Sequence, residues 1–282
     1  MPADKKASSE FDTFYDGKGK PLYEARGEAT TVQEALGRGD AAHSLGNTDE
    51  ALYEYVRALE LDSKNHETLY KVGTIHAEIG NNELAETAYR MALKLAPDHA
   101  SSLEGLALMM LDKHQHPEAE QHLSAAIKSD PSRWRSHNGL GLIADMKKDY
   151  ARAISHYQAA LQAQPDSPLL LNNLGYSKYL AGDRVGAFQL FERALEIDPK
   201  FERAWLNKAL VHARNGDTDA AFEAFRQTLD EASAYNDLGY IYMLDGRYDE
   251  AEQFFQEAIS ASPTYHALAY ANLNQLRALQ SK

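Results

Sequence analysis

The stretch LNNLGYSKYLAGD, from Leu171 to Asp183, decides how this chain folds. Its apolar residues have helical spacing, yet Asn172 and Asn173 stand side by side near its start. Asparagine is a poor helix former because its amide competes with the backbone for hydrogen bonds. What the two amides do depends on the face they occupy. That face can be read only from how the stretch recurs.

It recurs along most of the chain. LYKVGTIHAEIGNNELAETAYRMALKLAPD begins at Leu69, and YNDLGYIYMLDGRYDEAEQFFQEAISASP begins at Tyr235. One small residue anchors each copy: Gly39, Gly73, Ala107, Gly141, Gly175, Ala209 and Gly239, with the first six 34 residues apart and the last step 30. Twelve residues after each anchor stands alanine, at Ala51, Ala85, Ala119, Ala153, Ala187, Ala221 and Ala251. Four further on is a large residue: Tyr55, Tyr89, Leu123, Tyr157, Phe191, Phe225 and Phe255. Three beyond that come Ala58, Ala92, Ala126, Ala160, Ala194, Thr228 and Ala258.

The physical reading is a pair of antiparallel helices per copy. They approach closely only where side chains are small, hence the anchor and the alanine facing it, and the aromatic fills the wider space nearby. Proline, which lacks a backbone N–H, marks the break between copies at Pro97, Pro131, Pro165, Pro199 and Pro263. Glycine at Gly46, Gly80, Gly182, Gly216 and Gly246 suits a left-handed turn between the two helices. One pair cannot bury its apolar face alone, whereas stacked pairs bury a continuous core.

These residues resemble the tetratricopeptide repeat. Its W-x2-L-G-x2-Y…A…F…A…P pattern is met by Tyr235, Leu238, Gly239, Tyr242, Ala251, Phe255, Ala258 and Pro263. The resemblance implies an all-α, right-handed superhelical solenoid of seven helix–turn–helix repeats. They span 32–65, 66–99, 100–133, 134–167, 168–201, 202–231 and 232–265. Residues 1–31 form a polar extension, out of phase, with scattered Phe11, Phe14, Tyr15 and Tyr23. Thr31 and Glu34 are spaced as a capping box and predict the first helix start. Residues 266–282 read as a capping helix. The short step predicts that the sixth repeat's second helix ends near Leu229 and that the next helix starts by about Ser233.

With each repeat numbered from seven residues before its anchor, Asn172 and Asn173 hold positions 5 and 6. At 100° per residue they lie on or beside the face opposite the packed one. In arrays of this family that face lines a concave groove where peptides and partner proteins bind. Candidate groove residues are Asn138, Leu142, Asn172, Asn173, Tyr176, Arg203, Asn207, Leu210, Arg214, Asn236 and Tyr240. They combine an apolar and aromatic stripe with a row of amides, which both donate and accept and can hold an extended backbone. The other use of such amides is to bridge neighbouring repeats. If they serve only the groove, Asn173→Ala with Asn207→Ala leaves the fold intact.

Composition narrows the function. A formal charge of −13 argues against nucleic acid as partner. The absence of cysteine excludes thiolate metal sites and cysteine nucleophiles. His114, His116 and His122 straddle a turn and lack the spacing of a zinc motif on one helix face, so no metal or cofactor is expected. No apolar run reaches the length of a membrane span. No nucleophile–base–acid set stands out, and the expectation is a protein-binding scaffold or assembly factor, not an enzyme. The alternatives are a regulatory or substrate-docking segment of a larger enzyme and a chaperone co-factor. The segment AYNDLGYIYMLDGRYDEAEQFFQEAISASPTY is similar to bacterial envelope proteins of the TadD type, which serve pilus assembly and are lipoproteins with an N-terminal cysteine. That resemblance implies a leader and a lipid anchor outside this sequence and a periplasmic, outer-membrane-anchored location. Without them the location is cytoplasmic.

Overall fold

In the computed structural model, residues 10–17, 19–25, 27–262 and 267–280 are described. Among them every regular element is helical. The first compact unit comprises residues 1–143 and the second residues 144–282.

In the first unit, a turn of 3-10 helix at Asp12–Phe14 and α1 (Lys20–Ala25) precede the repeats. These are α2 (Val32–Ser44), α3 (Thr48–Leu61), α4 (His66–Glu78), α5 (Asn82–Leu95), α6 (Ala100–Asp112) and α7 (His116–Ser129); α8 (Trp134–Met146) follows, its residues from Ala144 on belonging to the second unit. The second unit carries α9 (Tyr150–Ala163), α10 (Pro168–Leu180), α11 (Arg184–Ile197), α12 (Glu202–Asn215), α13 (Thr218–Phe225), α14 (Glu231–Leu244), α15 (Tyr248–Ala261) and α16 (Ala267–Gln280). Pairs α2/α3, α4/α5 and α6/α7 pack together in the first unit, and α10/α11, α12/α13 and α14/α15 in the second. Each unit is thus a stack of antiparallel helix pairs, as the repeat pattern predicts.

Local chemistry sets the helix starts. The side chains of Thr31, Asn47, Asn65, Asp149, Ser167, Asp183 and Asp230 each accept a hydrogen bond from a backbone N–H in the first turn that follows. Pro97, Pro131, Pro165 and Pro199 lie in the breaks between helices, and Pro263 lies outside the described residues. The midpoint turn needs a left-handed residue. Gly182 supplies it with φ +92°, while His114 and Lys148 hold φ of 58° and 60° in the two repeats that lack the glycine.

The packing follows the anchor pattern and sharpens it. The seven alanines twelve residues past the anchors have no exposed surface. At Gly39, Gly73, Gly175 and Gly239 the large residue does more than fill nearby space: its ring lies directly over the anchor. A Cβ on Gly175 would sit 2.6 Å from Cε1 of Phe191 and 3.2 Å from the carbonyl oxygen of Ala187. Gly239 meets Phe255 at 2.7 Å and the Ala251 carbonyl oxygen at 3.2 Å in the same way.

Both ends are covered. Phe11 and Phe14 are buried in the cluster of Leu52, Tyr55 and Leu69. His76 Nε2 lies 3.0 Å from the Phe14 carbonyl oxygen, and the Tyr23 hydroxyl donates to Asp49 at 2.9 Å. The aromatics that break the polar pattern of the N-terminal extension thus seal the first repeats. At the other end, Leu273 and Leu276 of α16 enter the cluster of Leu238, Tyr242 and Phe255.

The sixth repeat departs from expectation. Its second helix, α13, stops at Phe225 and not near Leu229, and α14 starts at Glu231. The other second helices run 14 residues, and α13 runs 8. Thr228 and Leu229 turn back to hydrogen-bond the Phe225 carbonyl at 3.0 and 2.9 Å, and the Asp230 carboxylate takes the Ser233 N–H at 2.7 Å. With four residues missing from the step, a full helix would leave too little chain to reach the next one. The last turn is therefore spent as connection.

Candidate functional site

In the second unit the first helices of successive repeats pack side by side: α10 with α12, α12 with α14 and α14 with α16. Their shared face carries most of the candidate residues. Asn172, Asn173, Tyr176, Arg203 and Asn207 line one shallow depression, together with Leu206. Tyr176 is 40% exposed and stacks on Tyr179 with centroids 6.1 Å apart. Arg203 is exposed, and Asn173 and Asn207 are half-buried. Tyr240, on α14, is 42% exposed.

Asn172 and Asn236 are turned inward. Asn172 is 4% exposed, and its Oδ1 accepts from Nδ2 of Asn207 at 2.8 Å. Asn236 is 3% exposed; its Oδ1 accepts from Nδ2 of Asn272 at 2.9 Å, and its own Nδ2 donates to Asp237 at 3.2 Å. The Asn172–Asn207 and Asn236–Asn272 bonds each join one repeat to the element that stacks on it. The poor helix formers thus have a structural use, since a buried amide needs a partner. Asn207 belongs to both uses: it bridges to Asn172 and lines the depression. The bond to Asn172 gives Asn207 a bridging contact as well as a place in the depression, so the two uses are not exclusive there.

The remaining candidates divide as follows. Leu210 is half-buried and packs on the core around Leu238. Arg214 forms an ion pair with Asp245 of the following repeat. Asn138 and Leu142 stand on α8 in the first unit, Asn138 half-buried and Leu142 41% exposed. Leu206, Asp245 and Asn272 escaped the sequence reading. Leu206 holds position 5 of its repeat, so its membership of the face could have been read from phase. Asn272 lies in a helix with no anchor to number from.

A related linkage sits at the start of the second unit. The Asp145 carboxylate accepts from the Tyr157 hydroxyl at 2.9 Å and from Ser177 Oγ at 2.8 Å. Burial pushes its pKa above the ordinary aspartate value, and the two hydrogen bonds oppose that rise.

A face of stacked first helices with an amide and aromatic depression defines a helical-repeat scaffold. The chain belongs to the tetratricopeptide repeat family. Models described as tetratricopeptide repeat match residues 66–99, 106–168, 149–202, 178–238 and 232–265, and one described as TPR repeat matches 39–80. Among solved structures, the chain is similar to a tetratricopeptide repeat protein from Parabacteroides merdae, with TM-score 0.58 and 16% identity over 88% of this chain and 100% of that one. It is similar to PilW, a type IV pilus biogenesis factor, with TM-score 0.60 and 17% identity over 80% and 98% of the two chains. A third is YrrB, described as having an unusual peptide-binding site, with TM-score 0.51 and 21% identity over 65% and 96%. At these identities the likeness is one of fold. No curated protein sequence matches the chain. Among the described residues, no helix is long and apolar enough to cross a membrane.

Proposed function

We propose that this protein is a protein-binding scaffold that holds an extended segment of a partner on the α10/α12/α14 face. The carrying observation is the convergence of Asn173, Tyr176, Arg203, Leu206 and Asn207 on one depression. Exposed aromatic rings provide apolar contact at low entropic cost, and arginine and amides provide directed hydrogen bonds to a peptide backbone or carboxylate. The family to which the chain belongs and the peptide-binding site of the similarly folded YrrB agree with this reading. Within it, the resemblance of the C-terminal repeat to TadD-type proteins points to bacterial envelope or pilus assembly as the setting.

The test pairs affinity capture with thermal melting on the full chain. Tyr176→Ala removes a ring that is 40% exposed, so its melting temperature should stay within about 2 °C of the parent. Proteins captured from the host by the parent chain should be lost or reduced tenfold or more. Unchanged capture by Tyr176→Ala and by Arg203→Ala would reject this face. Unaltered surface pili in a strain lacking the gene would reject the setting and leave the scaffold reading standing.

A further inference from the structure

A second feature lies within the first unit. His66 and Glu67 open α4, and His99 is the N-cap residue of α6, the first helix of the next repeat. The repeat period brings the two helix starts together, and the candidate donor atoms of His66, Glu67 and His99 lie within 4.8 Å of one another. Nε2 of His99 is 3.0 Å from the Glu67 carboxylate. Its other ring nitrogen, Nδ1, is 2.8 Å from Oγ of Ser102, a residue with no exposed surface. The His66 and His99 rings meet edge-on with centroids 4.9 Å apart.

This arrangement has the donor types and spacing that could hold a metal ion. A ligating histidine usually has its second ring nitrogen held by a hydrogen-bond partner, which fixes the ring and aims the other nitrogen at the ion. Ser102 is placed to do that for His99. Arg133 lines the same depression, but its charge is committed: Nε is 2.9 Å from Asp130, Nη2 is 2.5 Å from Ser101 Oγ, and Nη1 is 3.6 Å from Glu104. Two imidazoles and a carboxylate remain, and together they suit a cation.

We propose that His66, Glu67 and His99 bind a divalent transition-metal ion of the zinc class, tying the second repeat to the third. Metal bonds of about 2.0–2.1 Å in a tetrahedral site put donor atoms about 3.3 Å apart. The His99–Glu67 pair is already at that spacing, and rotation of half-buried His66 closes the rest. Two imidazole nitrogens with one oxygen favour Zn²⁺, Ni²⁺ or Cu²⁺ over the oxygen-seeking Mg²⁺ and Ca²⁺. Three protein ligands leave the fourth position to water.

The experiment uses the full chain, stripped with chelator and titrated with Zn²⁺ by calorimetry, with Co²⁺ absorbance as a reporter of coordination. One Zn²⁺ per chain should bind with micromolar or tighter affinity. Melting should rise by on the order of 5 °C at a hundredfold excess over Kd. His66→Ala, His99→Ala and Glu67→Gln should each weaken binding at least tenfold. Glu67 has half its side chain exposed, so Glu67→Gln keeps the fold if a histidine variant does not. Ser102→Ala should weaken binding about tenfold through loss of ring positioning. Replacing His114 and His116 with alanine should change nothing. The proposal fails if the parent shows no saturable binding up to about 100 μM. It fails equally if binding survives His66→Ala and Glu67→Gln, if it follows His114 and His116, or if Mg²⁺ displaces the bound Zn²⁺. Any of these leaves His99 and Glu67 as a plain inter-repeat hydrogen-bonded pair.

Discussion

The fifth and sixth repeats stand next to each other in the second unit and solve the same packing problem with different amounts of helix. In the fifth, α11 runs 14 residues; Phe191 covers Gly175, and Ala194 is fully buried one turn later. In the sixth, α13 runs 8 residues and ends at the equivalent aromatic, Phe225, which is 4% exposed. The residue equivalent to Ala194 is Thr228, half-buried in a turn, with its hydroxyl 3.4 Å from the Phe225 carbonyl oxygen. The comparison teaches which part of a repeat is indispensable. The anchor, the facing alanine and the aromatic are kept, and everything past the aromatic can be given to the connection. A small residue at the Ala194 position is required only while the chain there is still helix.

The largest expected effect tests whether the short repeat really keeps its core. Phe191→Ala and Phe225→Ala should each cost about 3–5 kcal/mol, because each removes a buried ring from a close-packed site. Denaturant unfolding of both variants settles the point. A cost for Phe225→Ala below half that of Phe191→Ala would mean the shortened helix has already loosened the packing.

Next is the anchor. Gly175→Leu should destabilise by about 1–3 kcal/mol or more, since even its Cβ meets the Phe191 ring and the Ala187 carbonyl oxygen is backbone that cannot step aside. Ala209→Leu should cost less, because Phe225 already accommodates a Cβ there. Equal losses, measured by melting temperature, would show that glycine and alanine anchors are packed alike.

A smaller effect tests the amide that joins the two repeats. Asn207→Ala leaves the buried Asn172 Oδ1 without its donor, a loss of about 1–3 kcal/mol offset by several tenths from alanine's better helix propensity. Melting several degrees below the parent is expected. An unchanged melting temperature with weakened partner capture would assign Asn207 to the groove alone.

The smallest effect isolates the last turn. Thr228→Ala should change stability by less than about 0.5 kcal/mol, whereas Ala194→Thr, at a fully buried helical site, should cost about 1–3 kcal/mol. If Thr228→Ala costs as much, the turn after Phe225 is packed as tightly as the helix it replaces.

Residue spacing was enough to lay out the repeat. Spacing alone placed the anchors, the alanines and the aromatics, and it did so because each repeat buries the same face against its neighbours, so the same positions must be small or large every time. It also set Asn172 and Asn173 on or beside the face opposite the packed one, but Asn172 turns inward, 4% exposed and bonded to Asn207. What it left open was decided by contacts between residues a repeat apart. A period of 34 says that Asn172 and Asn207 are close, but not whether their amides meet each other or a ligand; the 2.8 Å bond decides that only in three dimensions. The same holds for Arg214, which pairs with Asp245, and for His66 and His99, whose approach depends on how two helix starts are stacked. The end of α13 is a further case. Helix propensity runs on past Phe225, and the helix stops there because the next repeat must be reached with four fewer residues, a demand set by tertiary distance and not by the local sequence.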